Sequence, residues 1–188
     1  RSPLFGVLSA LMQFRDLKGQ ARIKDKYAIE DEYFKQVQDY NADVTQKKVI
    51  VTTRRAEELF QALSVPVRDI SKEKVLLIGP RNVHEIVLAW VSGFAWKNIQ
   101  GIDLYSTNPK ITVMNMEEMT FKDDTFDAVV TANTLAYAKS VSKCDSEIIR
   151  VLKPGGRAVF GSTFVSEKTK YLGNQFRGVD LKEIIKKL

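Results

Sequence analysis

The residues best placed to do chemistry stand at the ends of short apolar runs. Val75-Leu76-Leu77-Ile78 closes on Gly79, and a helical pattern begins at Val83. A glycine at the first strand-to-helix turn presents backbone N–H groups, and this is where α/β sheets bind nucleotides. About 20 residues on, a second apolar run ends in Asp103. An acidic side chain there can accept both hydroxyl hydrogens of a ribose. Taken singly, such a glycine is commonly a turn and such an aspartate a cap. Order and spacing together give the pair its weight.

The elements that must hold these residues follow from the hydrophobic pattern. From Lys74 onward, short apolar runs alternate with helical segments, as in a parallel sheet covered on both faces. The runs are Val75 to Ile78, Ile99 to Leu104, Ile111 to Met114, Phe126 to Val130 and Arg157 to Phe160. Helical spacing covers Val83 to Phe94 and Ser142 to Leu152, after which Lys153-Pro154-Gly155-Gly156 turns the chain. Residues 1–72 read as a helical lead-in. A helix capped by Ser2-Pro3 runs to Phe14, and others are predicted over Ala28 to Tyr40 and Ala56 to Leu63, with Val49-Ile50-Val51 as a short strand if not helix. Val65-Pro66-Val67 interrupts the pattern. The expected organisation is therefore a helical extension over 1–72 and a Rossmann-like, doubly wound, mainly parallel α/β domain over 73–188, with a reduced C-terminal part ending in an amphipathic helix, Asp180 to Leu188.

Phe121-Lys122-Asp123-Asp124-Thr125-Phe126-Asp127-Ala128-Val129-Val130 and Glu147-Ile148-Ile149-Arg150-Val151-Leu152-Lys153-Pro154-Gly155-Gly156-Arg157 are the most specific stretches. With the Gly79 turn they make residues 75–162 resemble the class I S-adenosylmethionine-dependent methyltransferases, of the type 11 kind. The resemblance implies S-adenosylmethionine as cofactor. It puts Gly79 on the first glycine of the cofactor loop, Asp103 with Leu104 beside it on the ribose acid, Asn115 and Met116 at the adenine, and Asn133 near the methionine end. An Asn at 115 can read adenine with its carbonyl and its NH₂. Three departures stand out. The loop reads Ile78-Gly79-Pro80-Arg81-Asn82-Val83-His84-Glu85, with Leu77 where the family has an acid; Arg81 can pair with the methionine carboxylate and Glu85 with the amino group. Six residues, Tyr105 to Lys110, replace a crossover helix, so either the flanking strands are not neighbours or one sheet face needs another cover, from the lead-in or a second copy of the chain; Tyr105 and Ser106 would then lie near the ribose or adenine. Only 26 residues follow Ser162.

Composition narrows the partners. The 188 residues carry 29 Lys and Arg against 23 Asp and Glu, a net +6, but residues 73–162 hold ten of each, so the excess sits on the flanks. That disfavours nucleic acid as the main partner. A single Cys144 closes no intrachain disulfide and a single His84 builds no multi-histidine metal site, so no metal is expected and a reducing cytoplasm fits. No apolar run reaches a membrane-spanning length. The chain begins at Arg1 rather than Met and is read as a fragment or a processed form, without a signal peptide. No catalytic residue is obligatory for methyl transfer; His84 and Tyr137 are the candidates for a base, with a wall or packing role as the alternative for each. Thr131-Ala132-Asn133-Thr134 does not match the motif used for exocyclic base amines. The leading expectation is transfer to a small molecule or sugar, at oxygen. The alternatives are a non-catalytic methyltransferase-like module, with helical extensions or an exposed sheet face serving a homodimer, and an RNA methyltransferase.

Overall fold

The computed structural model describes residues 7, 11, 25–47, 54–64, 69–80, 82–106 and 108–161. Its elements run β1 (Asp25–Lys26), α1 (Glu32–Lys47), α2 (Arg54–Ser64), β2 (Val75–Ile78), α3 (Val83–Val91), β3 (Ile99–Asp103), β4 (Tyr105–Ser106), β5 (Ile111–Val113), β6 (Phe126–Ala132), α4 (Val141–Val151) and β7 (Leu152–Gly161). Five strands form one sheet in the order β5-β3-β2-β6-β7, with every pairing parallel. Strand β2 is central, and all four of its side chains are buried. Val75 and Leu77 pack with Phe60 and Leu63 of α2 and Ile86 and Val87 of α3. Leu76 and Ile78 face the opposite way, toward Cys144, Ile148 and Val151 of α4. Covering both faces is what makes a parallel strand read as a continuous apolar run. Each large side chain fully buried in these layers stabilises the fold by about 1.5–3 kcal/mol.

Local chemistry sets the ends of the helices. Asp31 Oδ1 accepts the N–H groups of Tyr33 (3.0 Å) and Phe34 (3.3 Å), so the helix predicted from Ala28 starts at Glu32 instead and runs on to Lys47. Helix α3 stops at Val91, short of the predicted Phe94, because Gly93 takes φ +117°. The turn predicted at Lys153 to Gly156 lies inside β7. Phe126 pairs with Leu152 and Ala128 with Arg157, so those four residues bulge opposite Asp127, with Gly155 at φ +77°.

The link between β3 and β5 resolves the choice posed by its length. The strands are direct neighbours, with Gly101 opposite Ile111 and Asp103 opposite Val113. The usual crossover is unnecessary because the pairing covers three residues, so the return spans only about 10 Å. The described residues of the link, 104–106 and 108–110, include no helix. Their cover comes from the lead-in: β1 pairs antiparallel with β4, Tyr27 N–H donates to Leu104 O (2.9 Å), and Gln38 Nε2 of α1 donates to the same carbonyl (2.6 Å). Tyr105, fully buried, donates its hydroxyl to Asn41 O of α1 (3.2 Å).

The expected helix to Phe14, apart from helical, exposed Val7 and Leu11, lies outside the described residues. So do Val49 to Val51, Val65 to Val67, Arg81 and Asp180 to Leu188. Among the described residues no helix is long and apolar enough to cross a membrane.

Candidate functional site

The residues that follow β5, β3, β2 and β6 at their carboxyl ends line one cavity of about 550 Å³. That volume suits enclosure of a small organic ligand, for which sites of roughly 300–1,000 Å³ are usual. Gly79, Glu85, Asp103, Leu104, Asn115, Met116 and Asn133 all stand in its wall. Seven of the eight candidate residues are thus brought together; the eighth, Arg81, lies outside the described residues. Because the strand order is β5-β3-β2-β6, the loop residues follow one another across the rim as Asn115, Asp103, Gly79 and Asn133.

Gly79 holds φ +70°, and a Cβ added there would meet the Thr134 side chain at 2.3 Å. No other residue fits. Thr134 anchors that approach by donating its hydroxyl to Ile78 O (2.9 Å). Asn133 also takes a left-handed conformation, φ +71°, which turns the chain sharply at the end of β6. Asp103 accepts the N–H of Leu104 (2.7 Å), fixing one carboxylate oxygen by a bond inside its own loop. Asn115 accepts the N–H of Glu117 (2.9 Å) through Oδ1, which orients its NH₂ group and leaves one carbonyl lone pair. Buried Glu117 in turn accepts N–H groups from Lys139 (2.6 Å) and Ser140 (3.2 Å), tying the Asn115 loop to the segment after β6.

Asn82 caps α3 by accepting the N–H of His84 (2.9 Å). The His84 side chain is buried, and burial lowers its pKa to about 4. The imidazole is therefore neutral near pH 7 and a weak base. Tyr137 lines the cavity, and its carbonyl accepts the Tyr33 hydroxyl (3.3 Å). Burial holds the Cys144 thiol protonated, its pKa pushed up to about 12.

The sequence reading missed the contribution of α1. Phe34, Val37 and Asn41 also line the cavity, and Lys139 lies over the Phe34 ring, 5.6 Å from its centre, while pairing with Asp31. The sequence predicted a helix over Ala28 to Tyr40 without saying what it would face. Tyr105 and Ser106, expected near the ribose or adenine, are buried beside the cavity and form no part of its wall.

Comparison with known proteins agrees with this architecture. Residues 91–160 match the family described as methyltransferase domain. No curated protein matches. Among solved structures, phosphoethanolamine N-methyltransferase 2 of Haemonchus contortus, bound to phosphomonomethylethanolamine and S-adenosylhomocysteine, is 20% identical, with 83% of this chain and 43% of that one covered at a TM-score of 0.59. A geranyl diphosphate methyltransferase in complex with GPP and sinefungin is 17% identical, with 83% and 65% covered and a TM-score of 0.48. The YcgJ protein of Bacillus subtilis is 18% identical, with 60% and 53% covered and a TM-score of 0.46. The chain thus spans about half the length of the Haemonchus and Bacillus proteins. Residues 91–160 are thus similar to a methyltransferase domain, and the parallel sheet gives the chain the Rossmann-like fold that it shares with the Haemonchus structure.

Proposed function

We propose that the protein binds S-adenosylmethionine in this cavity and transfers its methyl group to oxygen on a small-molecule or sugar acceptor. The observation that carries the reading is the convergence of Gly79, Asp103, Asn115 and Asn133 at the carboxyl ends of adjacent strands, around a single cavity. The residues fit the cofactor. Asp103 offers a carboxylate to the ribose hydroxyls, Asn115 a donor and an acceptor to the adenine edge, Met116 an adaptable apolar wall, and Gly79 a backbone stripped of side chain where the chain must come close. Glu85 offers a carboxylate to the amino group. When bound, the cofactor supplies a methyl group on a positively charged sulfur.

The protein's own part is alignment. Its residues would hold an acceptor hydroxyl toward the methyl group that the cofactor would supply, with the hydroxyl proton released to solvent. Positioning of this kind lowers barriers by about 7–11 kcal/mol in favourable systems. Phe34, Val37 and Tyr137 line the same cavity and would offer an acceptor a largely apolar wall.

The test is calorimetric binding of S-adenosylhomocysteine to the wild type and to Asp103→Ala, followed by transfer of labelled methyl to panels of alcohols, sugars and amines. Micromolar binding that Asp103→Ala weakens at least about tenfold, with label on hydroxyl acceptors, supports the reading. Label confined to amines overturns the choice of oxygen. Tight binding with no label on any acceptor favours the second reading, a non-catalytic module, which the short β3–β5 link and the Leu77 substitution in the cofactor loop support.

A further inference from the structure

Thr134 stands at the cap position of the short helical turn Leu135–Tyr137, where a threonine side chain commonly accepts an N–H of the turn it precedes. It makes no such bond. Its hydroxyl instead donates to Ile78 O (2.9 Å), the last carbonyl of β2, 56 residues away in sequence. The pairing of β2 with β6 ends at that point, with Ile78 opposite Thr131. Beyond it, Asn133 turns the chain at φ +71° and gives its N–H to Gly161 O of β7 (2.5 Å). Gly79 gives its N–H the opposite way, to Ile102 O of β3 (2.8 Å). The two loop backbones therefore bond to strands on opposite sides, and the Thr134 side chain spans between them.

The space it fills is the one a side chain at Gly79 would need: Thr134 Cγ2 and Oγ1 each stand 2.3 Å from a Cβ built there. Gly79, Pro80, Asn133 and Thr134 all line the cavity. One side chain thus fixes how closely the Gly79 turn stands to the Asn133 loop. Resting on the cofactor reading above, we propose that Thr134 is a positioning residue for S-adenosylmethionine: its hydroxyl holds the Gly79 turn in the place from which the turn meets the cofactor. A turn released from that bond spends part of its time elsewhere, and the apparent affinity falls by the fraction of molecules that remain in place. The fall appears as slower association, because only the held form binds, and a ligand once bound leaves at the unaltered rate.

The test compares Thr134→Val, which keeps the shape and loses the hydroxyl, with Thr134→Ser, which keeps the hydroxyl and loses the methyl. The probe is S-adenosylhomocysteine, at a temperature well below every melting transition. Thr134→Val should bind about three- to tenfold more weakly, the effect of one neutral hydrogen bond, with the loss in the association rate. Thr134→Ser should stay within about twofold of the wild type. Ile148→Val, buried under α4 and no part of the cavity wall, controls for stability: it should lower the melting temperature and leave binding unchanged. If Thr134→Val does not fold, Thr134→Ala takes its place as the variant without a hydroxyl. Wild-type affinity without the hydroxyl, a Ser variant as weak as the Val variant, or a loss carried by faster dissociation would each overturn the assignment, the last by making Thr134 a direct ligand contact. A wild type that does not bind S-adenosylhomocysteine overturns the cofactor reading itself, a different result from binding that ignores the hydroxyl.

Discussion

The stretch leading into β6 and the stretch joining β3 to β5 are both connections with no helix among the described residues, yet they are held in opposite ways. Before β6, residues 119–123 are gripped by one side chain on the neighbouring helix. Arg150 donates to Phe121 O (2.7 Å), Asp123 Oδ1 (2.8 Å), Met119 O (2.8 Å) and Glu147 Oε1 (2.8 Å), while Glu147 accepts the N–H of Met119 (2.6 Å). Between β3 and β5, the Leu104 carbonyl accepts neutral donors, Tyr27 N–H and Gln38 Nε2, from a segment more than 60 residues upstream. The first is an ionic clamp that joins residues 27 to 31 positions apart. The second is a neutral strap that depends on tertiary docking, so the two should respond differently to mutation and to acid.

The sharpest way to break the comparison is Arg150→Ala. Removing a cation shared by two carbonyls and two carboxylates should cost about 3 kcal/mol of global stability in urea unfolding, with loss of the whole sheet. Acid is next in size. The hydrogen bond from Arg150 holds the Glu147 carboxyl below its ordinary value of 4.5. A lowered folded pKa gives stability that is complete above the unfolded value and is lost as pH falls through the folded one. The wild-type melting temperature should therefore drop below pH 4.5, and Glu147→Gln should flatten that drop. For the strap, Gln38→Ala should cost only about 1 kcal/mol. Amide exchange should quicken over residues 25–47 and 104–110 while β2 and β6 stay protected. Smallest is Tyr105→Phe, which removes one bond to Asn41 O and should lower stability by less than about 1 kcal/mol. Global unfolding in Gln38→Ala, or a purely local effect in Arg150→Ala, would erase the distinction.

The same contrast explains what the sequence disclosed. Val75–Ile78 was legible because burial on both faces leaves an unbroken apolar run, and the residues at the strand ends were legible because a parallel sheet puts its ligand loops there. The strap was not. Gln38 and Tyr27 meet a main-chain carbonyl, which leaves no complementary side-chain pattern in the sequence. The missing crossover helix pointed to two outcomes, and how few residues of β3 and β5 pair, which decides between them, is a property of the folded sheet. Thr134 was missed for a related reason: its role against Gly79 rests on a close approach between loops 55 residues apart in sequence.

The strap also sets an order of assembly. Tyr33 docks on Tyr137 and Gln38 on Leu104, separations of 104 and 66 residues. Closing loops of that length is slow compared with forming local contacts. As the chain leaves the ribosome, α1 emerges early and must wait for most of the sheet before it can wall the cavity. A cavity ligand that touches Phe34 or Asn41 would reward that last docking step, so the ligand would select fully assembled chains and leave partly assembled ones to proteolysis.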